Sequence, residues 1–285
     1  MPIQQITIVG TGLIGGSLAL ALKQAGFAGR VVGCDRRAVL EVAQARAAID
    51  HAEADLERAI AGSGVIVLAT PVGCALSQLE ALAHLVPAET LITDTGSTKA
   101  RFVERSKLLF GDRAHARVLP GHPMAGKELG GIENADPGLF RDAVWLMTPV
   151  DPAKPYTARQ QEWIALLPAI GARIVELDAE RHDRLCAWIS HLPQMIATAL
   201  ASSLREEFGD DEAVMQIGGR ALREMTRIAH SPYSMWRDIA LTNTENIEEA
   251  LLRFEQQLAE LRENLRGPGL REMFESANQW PVVSG

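Results

Sequence analysis

Short runs of β-branched and other apolar residues alternate with helical patterns along the first 177 residues. Because these runs are apolar at consecutive positions, both faces of each strand are expected to be buried, as in a parallel sheet covered by helices on both sides. Two later runs, 143–148 and 172–177, are expected to extend this sheet, with a helix over 157–167 between them. The earlier runs are residues 6–9, 31–34, 65–68 and 91–93.

The pattern changes after Asp178, and residues 178–285 are predicted to be helical. Six apolar residues near the end are spaced alternately by four and three positions, which places them on one face of a helix. Such a narrow seam favours pairing with a helix of a second subunit, although a core helix within one subunit fits nearly as well. The six residues are Ile247, Leu251, Phe254, Leu258, Leu261 and Leu265.

Composition narrows the class of protein. The length of 285 residues, at about 150 residues per domain, suggests two domains. The net charge is −8, from 28 basic and 36 acidic residues, which argues against a nucleic-acid binder because such proteins need a positive face. Cys34, Cys74 and Cys186 are widely spaced, predict neither a metal site nor a disulfide, and indicate a reducing, cytoplasmic location. Glycine or proline interrupts the long uncharged stretches, so no membrane-spanning helix is expected.

A glycine motif follows the first predicted strand. Gly10, Gly12 and Gly15 form GxGxxG at the point where a strand leads into a helix. In this context the first glycine permits a tight turn, the second lets a pyrophosphate approach the backbone, and the third lets helix and strand pack closely. Leu13 and Ile14 lie in the same turn, where free N–H groups at the helix N-terminus attract phosphate. The motif predicts a dinucleotide site.

An acidic residue ends the second predicted strand. Asp35 lies twenty residues after the last glycine of the motif, where a carboxylate binds the ribose hydroxyls of NAD. Arg36 follows directly and would suit the extra phosphate of NADP, but Asp35 would repel that phosphate. NAD is therefore favoured, and NADP stays possible. Ala69, Thr70 and Pro71 follow another strand and are expected to line the cofactor, because ligands bind at the carboxyl ends of parallel strands.

Four further polar clusters call for a function beyond nucleotide binding. They read DTGSTK from Asp94, GHPMAGKE from Gly121, SHLP from Ser190, and TRIAHSP followed by WRD from Thr226. Together with GTGLIGGS and ATPV, they give a chain that resembles the prephenate/arogenate dehydrogenase family of tyrosine biosynthesis, from about residue 5 to about residue 265. The combination of GHPMAG with SHLP is far more specific than the glycine motif alone.

The resemblance implies a fold and a reaction. It implies a Rossmann-type, doubly wound α/β domain over 1–177 and an all-α domain for substrate binding and dimerisation over 178–285. The expected reaction is oxidative decarboxylation of prephenate to 4-hydroxyphenylpyruvate with hydride transfer to NAD. The expected assembly is a homodimer that binds neither nucleic acid nor membrane. No metal is expected.

The resemblance also implies roles for particular residues. His122 would deprotonate the C4 hydroxyl of the substrate, and neutral imidazole suits that task at neutral pH. Ser97 would orient the hydroxyl or the imidazole, although a serine at this place could simply cap the next helix. The residues that would bind substrate are His191, Arg227, Glu128, Trp236 and Arg237. The remaining histidines, expected at the surface, are His51, His84, His115, His182 and His230.

Three alternatives stay open. A close variant would oxidise arogenate, which carries an ammonium where prephenate has a keto group, and an acidic residue at that end of the pocket would favour it. A β-hydroxyacid or imine reductase shares the architecture but usually needs a catalytic lysine or a different helix motif. A non-catalytic dinucleotide sensor would keep the glycines and have no need for Ser97, His122, His191 and Arg227 to converge.

Overall fold

The chain folds into a sheet-containing first half and a helical second half. The computed structural model describes residues 2–127 and 129–281, apart from the side chain of Met215. In the first half, five parallel strands form one sheet in the order β3-β2-β1-β4-β5. They are β1 Gln5–Val9, β2 Arg30–Cys34, β3 His51–Ala52, β4 Val65–Leu68 and β5 Leu91–Asp94.

The sheet is buried on both faces, as its sequence predicts. Successive strand residues alternate between two apolar cores, so that Val65 and Val67 face one core while Ile66 and Leu68 face the other. From the central β1 the chain proceeds to β2 on one side and later to β4 on the other. Such a reversal opens a crevice at the carboxyl ends of the strands. The predicted doubly wound α/β fold is confirmed.

Helices cover this sheet and connect its strands. Thr157 and Gln160 form a reciprocal capping box at the start of the helix predicted over 157–167, which is confirmed as Ala158–Ala169. The helices of the first half are α1 Leu13–Gln24, α2 Arg37–Ala45, α3 Leu56–Ile60, α4 Val72–Leu85, α5 Ala100–Phe110, α6 Ala114–Arg117 and α7 Ala158–Ala169.

A second sheet corrects one expectation. The predicted strands over 143–148 and 172–177 form, as β7 (Val144–Met147) and β8 (Arg173–Glu176), but they do not extend the parallel sheet. They form a separate sheet in the order β6-β7-β8, in which β7 pairs antiparallel with β6 (Gly121–Pro123) and parallel with β8. Val118, three residues before β6, forms an isolated parallel bridge with Ile92 of β5. The ladder stops there because the next amide, that of Gly121, donates to the Asp94 carboxylate at 3.2 Å instead of to a strand.

The second half is helical, as predicted. Its first two helices are joined by a π-helical turn, Ala187–His191, which ends just before Pro193. Proline has no N–H for the carbonyl one turn earlier, so the regular hydrogen-bond pattern is interrupted where His191 is placed. The helices are α8 Ala179–Cys186, α9 Leu192–Phe208, α10 Glu212–Ile217, α11 Arg220–Thr226, α12 Tyr233–Thr242, α13 Thr244–Glu263 and α14 Gly269–Ala277.

The first five residues of the apolar seam lie on α13, but Leu265 follows the end of that helix, and the seam is buried only at its start. Ile247 is 6% exposed and packs on Ala187 and Ile239, whereas Leu258 is 50% and Leu265 63% exposed in the single chain. The later part of the seam therefore has little cover within one subunit. Among the described residues, no helix is long and apolar enough to cross a membrane.

Several polar contacts tie the two halves together. The carboxylate of Asp183, on α8, accepts the backbone N–H groups of Lys99 at 2.7 Å and Ala100 at 2.9 Å, and so caps the N-terminus of α5. Asp238, on α12, accepts the N–H of Gly73 at the start of α4 at 3.0 Å. The hydroxyls of Thr98 and Thr242 lie 2.7 Å apart. The helical half is thus fixed against the carboxyl edge of the sheet.

The turn between β1 and α1 gives a stability prediction. A Cβ at Gly15 would lie 1.9 Å from the carbonyl oxygen of Gly10, whereas a Cβ at Gly12 would meet no atom within 4 Å. We expect Gly15→Ala to lower the free energy of unfolding by about 1–3 kcal/mol through overpacking. Gly12→Ala, the matched control, should change it by less than about 0.5 kcal/mol. Urea unfolding without cofactor measures both, and a Gly15→Ala protein as stable as the parent would contradict the packing.

Candidate active site

A cleft of 890 Å³ lies at the carboxyl edge of the parallel sheet. Its walls come from both halves of the chain, because α12 and the π-helical turn face the loops that follow β1, β4, β5 and β6. The residues that line it and were predicted for the site are Gly12, Leu13, Ile14, Asp35, Arg36, Ala69, Thr70, Pro71, Ser97, His122 and Trp236.

The glycine turn has the shape of a phosphate cradle. Gly10 has a φ of +92°, and a Cβ there would lie 2.6 Å from the carbonyl oxygen of Ala69, so only glycine fits. Gly12 lines the cleft, and the space beside its Cα is open. No side chain caps the N-terminus of α1, which leaves its N–H groups for a ligand. The turn therefore fits the pyrophosphate of a dinucleotide.

Asp35 is held at the cleft by backbone amides. Its two carboxylate oxygens accept the N–H of Thr11 at 2.8 Å and the N–H of Arg36 at 2.7 Å. A carboxylate has further lone pairs, which suit a ribose diol and disfavour a phosphate at the same place. Arg36 lines the cleft beside it. The acceptor oxygens of Asp35 therefore fit the ribose of NAD.

His122 lies on the floor of the cleft, on β6. It is 7% exposed, and burial, with a smaller contribution from the cation of Lys99, holds its pKa well below the 6.5 of a free imidazole. The side chain is thus neutral at physiological pH. The nearest hydrogen-bond partner of its ring among the described residues is His182, whose Nε2 lies 2.9 Å from the Nδ1 of His122; the Sγ of Cys186 lies 4.0 Å from the same nitrogen.

His182 is buried, which corrects its assignment to the surface. It is 0% exposed, and its Nδ1 lies 2.8 Å from the Oδ1 of Asp183. The sequence indicated this burial. His182 and Asp183 lie 3 and 4 residues after Ala179, on a helix face that continues 7 and 8 residues after Ala179. The other buried members are Ala179, Cys186 and Ala187. Two polar residues on an otherwise apolar face indicate a buried polar network.

A buried ion pair positions the residue before His122. Lys99 is 0% exposed, pairs with the carboxylate of Asp94, and donates to the carbonyl oxygen of Gly121 at 2.9 Å. Asp94 in turn accepts the N–H of Gly121. Both backbone groups of Gly121 are therefore held by one ion pair at the end of β5. Lys99 received no role on sequence grounds, although its place in a polar motif at the carboxyl end of a strand could have indicated one.

Ser97 lines the cleft and is half-buried. The alternative role in helix capping is wrong, because α5 begins after Lys99 and its free amides are capped by Asp183. Among the described residues, the Ser97 hydroxyl has no hydrogen-bond partner. It is therefore available to a ligand.

His191 lies behind the cleft wall, 1% exposed, with its ring edge-on to that of Trp236. Its Nδ1 accepts from the Nδ2 of Asn243 at 3.2 Å, an orientation fixed because the same amide nitrogen donates to the carbonyl oxygen of Asp183 at 2.8 Å. Burial lowers the pKa of His191 to about 4, so the ring is neutral and its proton lies on Nε2. That N–H and the indole N–H of Trp236 are buried without a hydrogen-bond partner among the described residues.

The other predicted substrate residues are placed differently. Arg227 is exposed on a short 3₁₀ turn, Arg227–His230, which precedes the cleft residues Ser231 and Pro232. Arg237 pairs with Asp238 at 2.8 Å and keeps a half-exposed side chain. Neither arginine is among the described residues that line the cleft. Glu128 lies outside the described residues.

His122, His182 and Cys186 have ligand atoms within 4.8 Å of one another, a group that in principle can hold a metal ion. Burial raises the pKa of the Cys186 thiol to about 12, so the sulfur is protonated rather than a thiolate ligand. The two ring nitrogens already share a hydrogen bond at 2.9 Å. The arrangement fits a hydrogen-bonded pair with a packing thiol better than a metal centre.

Comparison with known proteins gives the family. The family model described as "Prephenate dehydrogenase, nucleotide-binding domain" matches residues 18–176, and that described as "Prephenate dehydrogenase, dimerization domain" matches residues 178–278. The prephenate dehydrogenase of Lactococcus lactis is 32% identical over 259 residues, which is 90% of this chain and 70% of that protein.

Two solved structures are similar over nearly the whole chain. The prephenate dehydrogenase of Aquifex aeolicus, in complex with hydroxyphenyl propionate and NAD+, has a TM-score of 0.87 and 28% identity, covering 98% of this chain and 96% of that one. The arogenate dehydrogenase of Synechocystis has a TM-score of 0.76 and 28% identity, covering 96% of this chain and 97% of that one. With both domain models matched in order along the chain, this protein belongs to the prephenate dehydrogenase family.

Proposed function

We propose that this chain catalyses the NAD-dependent oxidative decarboxylation of prephenate to 4-hydroxyphenylpyruvate. The observation that carries the proposal is the position of His122, a neutral imidazole on the floor of the same cleft that holds the glycine turn and Asp35. The Aquifex aeolicus relative, described with NAD+ and hydroxyphenyl propionate, supports the same pair of ligands here.

The first half, residues 1–177, would hold the dinucleotide. The free N–H groups of Leu13 and Ile14 would face the pyrophosphate beside Gly12, and Asp35 would bind the ribose. Ala69, Thr70 and Pro71 would cover the cofactor from β4. NAD, when bound, supplies the acceptor for the hydride that leaves C4 of the substrate.

His122 would take the proton of the C4 hydroxyl as the hydride leaves, because neutral imidazole is the base available at that place. The ring carboxylate then departs as CO2, and its bond electrons pass into the ring, which becomes aromatic. The oxygen at C4 becomes a phenol by recovering the proton from His122. The base therefore holds the proton only briefly, and no proton is released overall. Ser97 would orient the hydroxyl from β5.

The second half, residues 178–285, would bind the acidic groups of the substrate. The N–H group of Trp236, which lines the cleft, and that of His191 behind it are two buried donors without a partner among the described residues, and a carboxylate or keto oxygen would satisfy them. Arg227 and Arg237 would add positive charge near the entrance. Guanidinium groups grip carboxylates best in a bidentate arrangement, which would require both arginines to turn toward the cleft.

The charge of the cleft favours prephenate over arogenate. Arogenate carries an ammonium that needs a carboxylate partner. Among the described lining residues, the acidic ones are Asp35 and Glu133. Asp35 lies where the ribose would bind, and Glu133 belongs to the turn Ile132–Asn134, which packs on α1 and α2 at the cofactor end of the cleft. Neither faces the substrate end, where His122 lies.

A homodimer in the cytoplasm would complete this proposal. The matched dimerization-domain model and the exposed later part of the α13 seam support pairing through the helical half. Cys34, Cys74 and Cys186 are all free thiols, which suits a reducing compartment.

The direct test is to mix the purified protein with NAD and prephenate. Nicotinamide absorbance should rise as 4-hydroxyphenylpyruvate and CO2 form in equal amounts, and arogenate should react at least tenfold more slowly in kcat/KM. Failure to reduce NAD with either substrate would reject the proposal, and faster turnover of arogenate would reject the choice of substrate.

The lowered pKa of His122 predicts that kcat/KM falls only at an unusually low pH. An imidazole whose pKa is depressed stays neutral, and so active as a base, until the pH falls through that depressed value. At saturating NAD, kcat/KM for prephenate should stay level from about pH 8 to about pH 6 and fall only at lower pH. A half-maximal value at pH 6.5 or above would contradict the burial of this base.

Replacement of the base gives a companion prediction. His122→Asn should lower kcat by about 100-fold or more, since general base catalysis typically contributes that much. Its affinity for NAD, measured by calorimetry, should stay within about threefold of the parent value. Full turnover by this variant would remove His122 as the base.

The open space beside Gly12 predicts a cofactor defect without a folding defect. Gly12→Ala should raise the Kd for NAD at least tenfold, because the added methyl occupies the space where the pyrophosphate approaches. Gly219→Ala is the matched control, since a Cβ there also meets no atom within 4 Å but Gly219 lies away from the cleft. Titration by protein fluorescence distinguishes them, and equal NAD affinities would argue against the cradle.

A further inference from the structure

A continuous chain of hydrogen bonds runs from the cleft into the second half of the protein. It links the ring of His122 to that of His182 at 2.9 Å, and the ring of His182 to the carboxylate of Asp183 at 2.8 Å. His182 and Asp183 are 0% and 1% exposed, so water does not compete for these bonds. Neither residue is the base, a cofactor ligand or a substrate ligand in the proposed reaction.

The partners in this chain assign the proton on each ring nitrogen. A carboxylate can only accept, so the Nδ1 of His182 carries a proton, and with the ring in its neutral form Nε2 holds a lone pair. The Nδ1 of His122 must then donate to that lone pair, which places the lone pair of His122 on Nε2. Nε2 is the nitrogen left for a ligand in the cleft.

We propose that His182 and Asp183 are positioning residues that keep His122 in the Nδ1–H tautomer, with its basic Nε2 facing the substrate hydroxyl. This role rests on the proposed function for its catalytic meaning, but the tautomer is a property of the protein itself. The pair also stabilises the charge that His122 gains when it takes the proton, because the imidazolium N–H stays bonded to His182 and the carboxylate lies one ring further on.

The surroundings of His122 explain why such support is needed. The buried cation of Lys99 lies near enough to contribute to the low pKa of His122, and burial itself disfavours the charged ring. An imidazole in this place would be a poor proton acceptor if its other nitrogen had no partner. Asp183 is also fixed in position, since its carboxylate caps α5. The support is therefore rigid and already assembled before substrate binds.

Nitrogen-15 spectra of the histidine-labelled protein test the tautomer without any reaction. In the parent protein without substrate, the ring of His122, identified by the loss of its signals in His122→Asn, should show a protonated Nδ1 and an unprotonated Nε2. A proton on Nε2 would overturn the proposal, whether or not the chain oxidises prephenate. This measurement needs no altered His182, so a variant that fails to fold does not affect it.

Kinetics of His182→Asn test the consequence. The new amide can still donate to Asp183 but offers His122 no acceptor at the former Nε2, so kcat with prephenate should fall at least tenfold while KM and the Kd for NAD stay within about threefold. In this variant the spectrum of His122 should show a mixture of tautomers. An unchanged kcat, or an unchanged His122 spectrum in a folded His182→Asn protein, would contradict the proposal.

Cys186→Ala is the matched control for this experiment. Its sulfur packs at 3.6 Å from the Nε2 of His182 and 4.0 Å from the Nδ1 of His122, equally buried in the same cluster, but the bond between the rings does not depend on it. The variant should keep kcat within about threefold of the parent and the same His122 tautomer. A tenfold loss in this control would show that packing of the cluster, and not the bond to His182, sets the activity.

Discussion

The relative placement of the two halves and of His122 depends on the hydrogen bonds of one buried carboxylate, that of Asp183. One oxygen accepts both the backbone amide of Lys99 and the ring of His182, and the other accepts the amide of Ala100. A single buried side chain of the helical half thus caps α5 in the sheet half. It also fixes the ring of His182, which in turn is hydrogen-bonded to His122. Because a buried carboxylate needs several donors, these contacts stabilise each other and fix the two halves in one relation.

A second buried charge, that of Lys99, completes the geometry from the opposite side. With Asp94 it holds both backbone groups of Gly121, so that His122 is placed by β5 and its ring is oriented by α8. Burial, together with the cation of Lys99, keeps the base neutral, and burial does the same for the neighbouring His191. The cleft thus joins a nucleotide cradle of backbone amides with uncharged, oriented imidazoles.

Much of the fold and of the site could be predicted from the sequence, and the remaining features could not, for physical reasons. Continuous apolar runs and the glycine turn depend on local pattern, so the parallel sheet and the cradle were predicted well. The second sheet depends on a hydrogen bond from Gly121 to a side chain distant in sequence, which no local pattern records. His182 was assigned to the surface by residue type, although its spacing in the α8 stripe indicated burial. Ser97 was open to capping because the true cap, Asp183, lies more than 80 residues away.

The central claim is that one nitrogen of His122 faces the ligand while the other is held by the second half of the protein. A crystal structure of this chain with NAD and hydroxyphenyl propionate measures it directly. We expect the phenolic oxygen within hydrogen-bond distance of the Nε2 of His122, about 2.6–3.2 Å, with the Nδ1 still bonded to His182. A phenolic oxygen bound elsewhere, or a His122 ring turned so that His182 faces Nε2, would contradict it.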